Sequence, residues 1–441
     1  MPTFALIDAN SFYASCEIAF QPWLANRPVV VLSNNDGCIV AANKHAKALN
    51  RFLKTPLQGG GFRSAQPSSI MFHPYFKVAG LLKRFNTAVF SSNYELYADM
   101  SRRLHTLIGE FSPRQEIYSI DESFLELSGF EKRDLTDYAQ QIRQTVWRGL
   151  GLPVAIGIGD TKTLAKLANH LAKTSDFNGV LNLKSLRPQA LDLLLKQVAV
   201  ENIWGVGRKT QSKLHDLGLH SAFDLKYANP KSLQRQFSVN LYRTHLELNH
   251  QACIELEDTP PPKKTILRSR SFGQPITQLN DVRQAMVTFV SFAAAKLREQ
   301  QGVCQTLTLF ITTNPFNPND TLYRNNVTLA LPYPTDDTRI LAAHIKHGLE
   351  KIWQPGLAYH KAGIILGEIS PKHQQQGDLF QPQAPNSDLM QLMDQVNRKM
   401  GKHTLRLASQ GKIEQANWSM RQNHTSPRYT TRWHEIASVK A

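Results

Sequence analysis

The sequence lacks long apolar runs, is poor in cysteine and has fewer acidic than basic residues. No stretch approaches the roughly 20 consecutive apolar residues that a membrane-spanning helix requires. The N-terminal apolar run follows no basic segment and is interrupted by Asp8, so we expect no secretory signal. The cysteines form no CxxC pair, which argues against a zinc site or a disulfide framework; they are Cys16, Cys38, Cys253 and Cys304. These absences predict a cytoplasmic protein without a membrane partner.

The charge balance indicates a polyanionic partner. The chain has 441 residues, with 51 Lys and Arg against 35 Asp and Glu, and a formal net charge of +16. A chain of this length exceeds one hydrophobic core and predicts about two to four domains. The basic residues are spread along the chain, which favours several modules that follow one nucleic-acid backbone. A basic surface without a special partner is the alternative.

Three carboxylates lie in strand-like surroundings. Asp8 ends the apolar run 4–7, and Asp121 and Glu122 lie inside the apolar run 117–125. Because unpaired carboxylates are costly to bury, they require a cation or an exposed turn. On two adjacent strands they would form an oxygen-ligand site for Mg²⁺, and two such ions about 3.5–4 Å apart support phosphoryl transfer. Alternatively, Asp8 caps the next helix and the Asp-Glu pair marks a hairpin turn.

The first half of the chain alternates strands with helices, which predicts a mixed α/β domain. A helix begins near Asn10 or Ser11, where backbone N–H groups would bind a phosphate. The Asp-Gly pair within 34–37 predicts a hairpin. Residues 50–70 are typical of a long loop, which is uncommon inside a compact domain. The other predicted elements are strands at 28–32, 39–42, 117–125 and 154–159, and helices at 78–86, 135–149 and 161–173.

The second half divides into a helical segment, a proline linker and a small α+β domain. A Gly-Val-Gly turn at 205–207, followed by Arg208 and Lys209, is typical of a helix-hairpin-helix that binds phosphates. A plain helical connector is the alternative. Three prolines make 258–264 a semi-rigid linker. Beyond it we predict helices at 280–300, 337–353 and 387–399, and strands at 307–312, 327–331 and 362–366, whose Thr and Asn content suits a sheet lying against DNA.

Two further features indicate binding. The stretch that leads from the linker into the next helix carries two arginines that are placed to contact phosphates. The polar segment after Ile369 contains Leu379-Phe380, an apolar pair typical of an anchor that docks on a partner; packing back on the body is the alternative. The predicted DNA-contact residues of this half are Gly205, Gly207, Arg208, Lys209, Arg268 and Arg270.

Long motifs in a fixed order resemble the Y-family translesion DNA polymerases, and among them the UmuC type. The resemblance covers nearly the whole chain. The motifs that carry it are 8–17 (DANSFYASCE), 32–38 (LSNNDGC), 91–100 (SSNYELYADM), 117–122 (IYSIDE), 161–170 (TKTLAKLANH) and 426–432 (SPRYTTR).

The resemblance implies a multidomain α/β and α+β fold shaped like a right hand. It places a catalytic palm at 1–20 and 88–190, fingers at 21–87, a helical thumb with the helix-hairpin-helix at 191–257, a little finger at 258–370 and a partner-binding region at 371–441. One departure from the family lies in the fingers, where an insertion near 50–70 replaces a short turn. This insertion would form a surface loop, extend the lesion pocket or impair activity.

The resemblance also assigns roles to single residues. Asp8, Asp121 and Glu122 match the carboxylates that hold two Mg²⁺ ions, with the Ala9 carbonyl as an additional ligand. Tyr13 matches the steric gate, whose ring excludes a ribose 2′-hydroxyl. The residues that match contacts to the triphosphate are Phe12 and Tyr13, through their backbone amides, and Lys47 and Lys173.

The implied activity is that of a DNA-directed DNA polymerase that carries out error-prone translesion synthesis during the SOS response. The implied partners are primer–template DNA, dNTPs, a processed UmuD dimer, RecA and the sliding clamp. The clamp would bind a pentapeptide containing Gln376, Leu379 and Phe380. Two alternatives remain: a catalytically impaired DNA-binding scaffold, and a nuclease that uses the same carboxylates but has no use for a steric gate.

Overall fold

A computed structural model describes residues 2–53, 69–130, 132–174, 177–374, 387–401, 403–411, 416 and 418–437. The described strands form three sheets. In chain order they are β1 (Phe4–Ala9), β2 (Val29–Leu32), β3 (Ile39–Ala42), β4 (Ala88–Ser91), β5 (Gln115–Ile117), β6 (Glu122–Glu126), β7 (Val154–Gly159), β8 (Val180–Asn182), β9 (Ile266–Ile276), β10 (Gly302–Thr313), β11 (Arg324–Thr335) and β12 (Tyr359–Pro371).

The α-helices in this part of the chain surround and connect the sheets. They are α1 (Phe12–Phe20), α2 (Lys44–Lys47), α3 (Tyr75–Arg84), α4 (Tyr94–Gly109), α5 (Leu135–Leu150), α6 (Lys162–Thr174), α7 (Pro188–Gln197), α8 (Arg208–Asp216), α9 (Ala222–Tyr227), α10 (Pro230–Gln236), α11 (Val239–Leu248), α12 (Leu279–Glu299), α13 (Thr338–Ile352) and α14 (Ser387–Met400).

The central sheet has the strand order β5-β6-β1-β7-β8, and its pairs are antiparallel except for β7 with β8. Strand β1 is buried on both faces, which explains its unbroken apolar run. Ala5 and Ile7 join the core formed with α4 and α5, whereas Phe4 and Leu6 pack with Ala165 of α6. Because side chains alternate along a strand, residue 8 belongs to the face covered by α6.

Helix α6 lies directly on strand β7 because β7 contains glycines. A Cβ atom at Gly157 would lie 2.0 Å from the backbone nitrogen of Asn169, so no larger residue fits. The side-chain amide of Asn169 donates to the carbonyl oxygens of Leu6 and Ala155, at 3.2 and 2.7 Å. These contacts set the height of α6 above the sheet.

A smaller sheet has the order β3-β2-β4. Strands β2 and β3 form the predicted hairpin, in whose turn Asn35 and Asp36 adopt positive φ values of 60° and 51°. Of the predicted loop at 50–70, residues 54–68 lie outside the described part of the chain. Its two ends are joined, because the Asn50 side-chain oxygen accepts from the amide of the buried Ile70 at 2.7 Å.

Helices α7 to α11 share an apolar core with α6. Helix α8 begins directly after the glycine turn, whose first glycine, Gly205, has a φ of 88°. The α-helix before the turn is α7, and only a 3-10 turn at Val200–Asn202 lies between them. The helix–turn–helix is therefore present, with its first α-helix further upstream than predicted.

The third sheet has the antiparallel order β11-β10-β12-β9, and α12 and α13 contribute to its core. Its strands extend beyond the predicted segments, and β9 was not predicted. The reason is that Arg268 and Arg270 stand between Ile266 and Phe272 at positions that face the core. These arginines interrupt the apolar alternation by which a strand is recognised.

The predicted fold class, a combination of α/β and α+β units, is confirmed. The helices predicted at 135–149, 161–173, 280–300, 337–353 and 387–399 correspond to α5, α6, α12, α13 and α14. None of the helices within the described ranges is both long enough and apolar enough to cross a lipid bilayer.

Candidate active site

The predicted carboxylates meet at the ends of β1 and β6. Asp8 and Glu122 are direct partners in the antiparallel register. The Ala9 amide donates to the Asp121 carbonyl oxygen at 3.0 Å, which ties the segment before β6 to the end of β1. Asp8 is buried, with 6% of its surface exposed. The structure thus brings together the four residues that were predicted to bind metal.

Two lysines of α6 face this pair. Lys166 Nζ lies 2.7 Å from Glu122 Oε2, and Lys173 Nζ forms an ion pair with Asp8 Oδ2. The lysines are two helical turns apart and so project from the same face of α6. Lys173 was predicted to contact a triphosphate, whereas Lys166 was missed. The sequence could have indicated Lys166, because it lies two helical turns before Lys173 and so on the same face of the helix.

Burial and these cations set the protonation of the pair. Burial raises the pKa of Asp8 to about 7, although Lys173 opposes the rise. Burial also favours neutral Glu122, but hydrogen bonds from Asp8 and Lys166 outweigh it and leave the Glu122 pKa below its ordinary value. Near neutral pH the pair can therefore retain a proton. A divalent cation would replace it, because dense negative charge is what hard cations bind.

Asp121 is held by a separate network. Its carboxylate accepts from Ser119 Oγ at 2.6 Å, and the same Oγ accepts from the amides of Asp121 and Glu122 at 3.2 and 3.1 Å. His105 is buried behind this turn, with Nε2 3.0 Å from the Ser119 carbonyl oxygen and Nδ1 2.7 Å from Ser123 Oγ. Ser119 and His105 were not predicted, because neither residue carries the acidic charge that marked the site in the sequence.

Within the described ranges, no three Asp, Glu, His or Cys side chains form a ready-made metal cage. Asp8 and Glu122 are engaged with lysines, and Asp121 is engaged with Ser119. The donor set nevertheless suits Mg²⁺, because carboxylate and carbonyl oxygens are its preferred protein ligands. Mg²⁺ could bind there only if Lys166 and Lys173 release the carboxylates with which they are paired.

The start of helix α1, predicted to bind phosphate, lies just after β1. Ser11 precedes the helix with a φ of 50° and makes no side-chain cap, so the first amides, from Phe12 and Tyr13, have no acceptor within the helix. Lys47 Nζ donates to Ser11 Oγ at 3.1 Å. Burial, followed by repulsion from Lys173, lowers the pKa of Lys47. Two cations held near each other are suited to a polyphosphate.

Aromatic rings form one wall of the site. The half-buried ring of Tyr13 stacks on Tyr97, with centroids 4.5 Å apart and planes inclined by 14°. Tyr94 meets Tyr13 edge-on at 6.3 Å. Tyr97 is fully buried, so the predicted steric gate rests on a fixed partner. The side chain of Phe12, by contrast, lies in the apolar core.

The remaining predicted contacts lie in three places. Gly205, Gly207, Arg208 and Lys209 are exposed at the start of α8. Arg268 is half-buried on the helix-covered side of its sheet, with its guanidinium 4.6 Å from the centre of the Phe292 ring. Arg270 is half-buried on the same face of this strand. Gln376, Leu379 and Phe380, predicted to dock on a partner, lie outside the described residues.

The opposite face of that sheet is open and polar. Thr308 and Thr328 are cross-strand partners there, and their hydroxyls lie 2.9 Å apart. Lys361, opposite Ser271, adds a cation on this face. The predicted Thr-rich surface is therefore present, whereas the arginines predicted to contact DNA lie on the other face of the sheet.

Comparison with known families covers most of the chain. Residues 7–170 match the impB/mucB/samB family, residues 263–379 match its C-terminal domain, and residues 188–219 match the helix-hairpin-helix motif of the same family. Residues 387–439 match a domain of unknown function.

Full-length relatives agree with these matches. Protein UmuC of Salmonella typhimurium is 44% identical over 99% of this chain and 100% of its own length. Protein SamB of Salmonella typhimurium is 40% identical over 99% of both chains. DNA polymerase IV 1 of Bacillus subtilis is 27% identical over 93% of both chains.

Among solved structures, a Y-family DNA polymerase chimera of Dbh and Dpo4 has a similar fold. The TM-score is 0.61 at 16% sequence identity, and the similarity covers 84% of this chain and 99% of the chimera.

Proposed function

Because the chain belongs to the impB/mucB/samB family of Y-family DNA polymerases, we propose that it is an error-prone translesion DNA polymerase. It would extend a primer from dNTPs on damaged templates during the SOS response. The observation that carries the proposal is the pairing of Asp8 with Glu122 beneath the lysines of α6. Carboxylates suited to a metal and lysines suited to phosphates lie side by side there, which supports nucleotidyl transfer.

The reaction is an in-line displacement at phosphorus. The primer 3′-oxygen forms a bond to the α-phosphorus, the bond to the β-phosphate oxygen breaks, and pyrophosphate leaves. Enzymes of this family depend on divalent metal. Asp8, Asp121, Glu122 and the Ala9 carbonyl would hold two Mg²⁺ ions. When bound, the ions supply positive charge that activates the 3′-hydroxyl and stabilises the leaving pyrophosphate.

The chain itself orients the nucleotide. The amides at the start of α1 and the side chains of Lys47 and Lys173 would bind the triphosphate. With metal on the carboxylates, the Lys173 ammonium, now paired with Asp8, would be free to bind that phosphate. Lys166, which pairs with Glu122, would likewise give up that carboxylate to the metal. The Tyr13 ring would stand where a ribose 2′-hydroxyl would clash, which selects deoxyribonucleotides.

The DNA grip would use the modules outside the catalytic sheet. We assign the palm to 1–20 and 88–190, the fingers to 21–87, the thumb to 191–257 and the little finger to 258–370. Separate apolar cores support this division. The exposed glycine turn with Arg208 and Lys209 would bind backbone phosphates, as would the open sheet face with Lys361. Arg268 and Arg270 belong to the edge strand β9 and lie on its helix-covered face, so they would reach DNA only around the edge of the sheet.

Further partners are proposed from the sequence. Gln376, Leu379 and Phe380 would dock on a sliding clamp, which would raise the effective concentration of the polymerase at a primer end. A processed UmuD dimer and RecA would be further partners, and we assign partner binding to residues 371–441. The absence of a CxxC pair and of long apolar runs supports a cytoplasmic setting.

Primer extension on undamaged and abasic templates tests the function. Wild type is compared with Asp121→Ala/Glu122→Ala, with and without clamp, UmuD and RecA. The matched control, Asp137→Ala/Glu350→Ala, removes two carboxylates from exposed helix positions.

We expect extension by wild type and control, and none by the site variant. Retained DNA binding without extension by wild type in any arm would refute the polymerase assignment and favour a scaffold. Degradation of the primer in place of extension would favour a nuclease.

A further inference from the structure

A C-terminal segment, residues 418–432, crosses the molecule from the sheet of β9–β12 to the helix that carries the steric gate. We call it the strap; it lies within the domain of unknown function. Its first residue, Trp418, is 4% exposed and packs edge-on against Phe289 of α12, with ring centroids 6.0 Å apart. The next residue passes so close to Gly273 that a Cβ there would lie 2.4 Å from the Ser419 carbonyl oxygen. The strap is therefore anchored on the little-finger side.

The strap next contacts the hairpin turn between β2 and β3. The amide of Arg421 donates to Asn35 Oδ1 at 3.1 Å, and the amide of Asn423 donates to Asp36 Oδ2 at 2.8 Å. Asn35 Nδ2 in turn donates to the carbonyl oxygens of Ser271 and Phe272, at 3.0 and 3.1 Å. The turn thus joins three parts of the chain.

The strap then pairs with the segment that leads into α4. The Ser91 amide donates to the His424 carbonyl oxygen at 3.0 Å, and the His424 amide donates back to Ser91 Oγ at 2.9 Å. Asn93, which caps α4, donates through Nδ2 to the carbonyl oxygen and the hydroxyl of Ser426, at 3.1 and 3.0 Å. Backbone and side-chain bonds therefore fix where Ser426 lies.

Ser426 connects the strap to the steric gate through two buried groups. Its hydroxyl donates to Glu17 Oε1 at 3.0 Å, and Tyr97 Oη donates to the same oxygen at 2.6 Å. Glu17 lies one turn beyond Tyr13 on α1 and is 0% exposed. Its Oε2 has no hydrogen-bond partner among the described residues. A buried carboxylate with so few donors depends strongly on each of them.

We propose that the strap is a positioning element of the nucleotide pocket: Ser426 orients Glu17, Glu17 fixes Tyr97, and Tyr97 supports the Tyr13 ring that selects the sugar. This inference rests on the proposed function, because Tyr13 acts as a gate only if the protein binds nucleotides. Loss of the Ser426 hydroxyl leaves Glu17 with one donor. We expect Tyr97 and the ring stacked on it to shift and to admit a 2′-hydroxyl.

The test compares incorporation of ribonucleotides and deoxyribonucleotides by the full chain, in the assembly that supports wild-type extension. The readout is the ratio of kcat/KM for rNTP to that for dNTP. We expect Ser426→Ala to raise this ratio about tenfold, the order of one charge-assisted hydrogen bond. Ser426→Thr keeps the hydroxyl and should restore the wild-type ratio. Thr425→Ala, an exposed neighbour in the strap, is the matched control and should leave it unchanged.

A second measurement is independent of activity. Hydrogen–deuterium exchange of the same variants should show faster exchange in α1 and at the start of α4 for Ser426→Ala, but not for Thr425→Ala. Equal exchange and an equal sugar ratio in both variants would overturn the proposal. If wild type does not extend a primer, the polymerase assignment fails, while the exchange data still decide whether the strap supports α1.

Discussion

Substitution of Gly157 by alanine tests whether α6 must lie directly on the sheet for the site to form. The added Cβ would lie 2.0 Å from Asn169 N and 2.3 Å from Ala165 O, both backbone atoms. Because ordinary contacts need about 3.5 Å, α6 must move by roughly 1.5 Å. Overpacking and the strained Asn169 hydrogen bonds together should cost about 3 kcal/mol of unfolding free energy.

The same movement displaces Lys166 and Lys173 from the carboxylates. A misplacement of about 1 Å is enough to lower a catalytic rate on the order of 100-fold. We therefore expect Gly157→Ala to reduce both stability, measured by urea denaturation, and primer extension under conditions where the protein is folded.

Gly80→Ala is the matched control, because a Cβ at that position of α3 meets nothing within 4 Å. Alanine should stabilise this helix by roughly 0.5–1 kcal/mol. Wild-type stability and wild-type extension in Gly157→Ala would show that α6 does not set the geometry of the site.

Charged and buried groups near the site make three more outcomes measurable. Burial raises the pKa of Glu17 to about 7, so this group should cost the folded state roughly 3 kcal/mol as pH rises from about 4.5 to 7. Asp8 titrates in the same range, so denaturation at pH 5 and 8 should show a loss in both proteins, larger in wild type than in Glu17→Gln by about that amount; equal losses would contradict the prediction. Lys166→Met removes the cation that lies 2.7 Å from Glu122. If lysine and metal compete for this carboxylate, the half-saturating Mg²⁺ concentration for primer extension should fall about fivefold, equivalent to about 1 kcal/mol. A higher half-saturating concentration would argue against such competition. Trp418→Ala should cost about 3–5 kcal/mol in a denaturation assay, because it empties the space beside Phe289; a negligible loss would show that the strap is not anchored there.

The elements that sequence patterns predicted well are those with a regular period. Helix α5 buries Tyr138, Ile142 and Val146 on one face, and this spacing was visible in the sequence. The carboxylates were conspicuous because charge beside apolar strand residues is costly. The single strand predicted at 117–125 was wrong, however: a turn separates β5 from β6, so Asp121 lies in the turn, as the alternative had it, and Glu122 begins β6.

Strand β9 escaped prediction because a cation occupies a position facing the core. The guanidinium of Arg268 lies over the Phe292 ring, so an aromatic face takes the role that an apolar neighbour usually has. The apolar alternation that marks a strand is broken at that point, although the backbone remains extended. Pattern alone cannot distinguish such an arginine from one in solvent.

Contacts between distant parts of the chain were also beyond prediction. The bonds from Asn35 to the strap and to β9 join residues 386 and 236 positions apart. They involve an amide side chain in a turn, which the sequence marks only as a hairpin. Lys166 was missed for a similar reason, because its partner Glu122 is fixed by how α6 packs on the sheet.

The contact between the strap and Glu17 joins residues from opposite ends of the chain, and this separation sets an order of events during synthesis. Ser426 lies 409 residues after Glu17, the carboxylate to which it donates. At about 5–20 residues per second, the ribosome makes Glu17 roughly 20 to 80 s before it makes Ser426. If helix α1 and its sheet fold during synthesis, as N-terminal domains generally do, the buried carboxylate then still lacks this donor. If the strap supports Tyr13 as proposed, a chain that stops before it would lack that support, and the nucleotide pocket would be completed only in the final stage of translation.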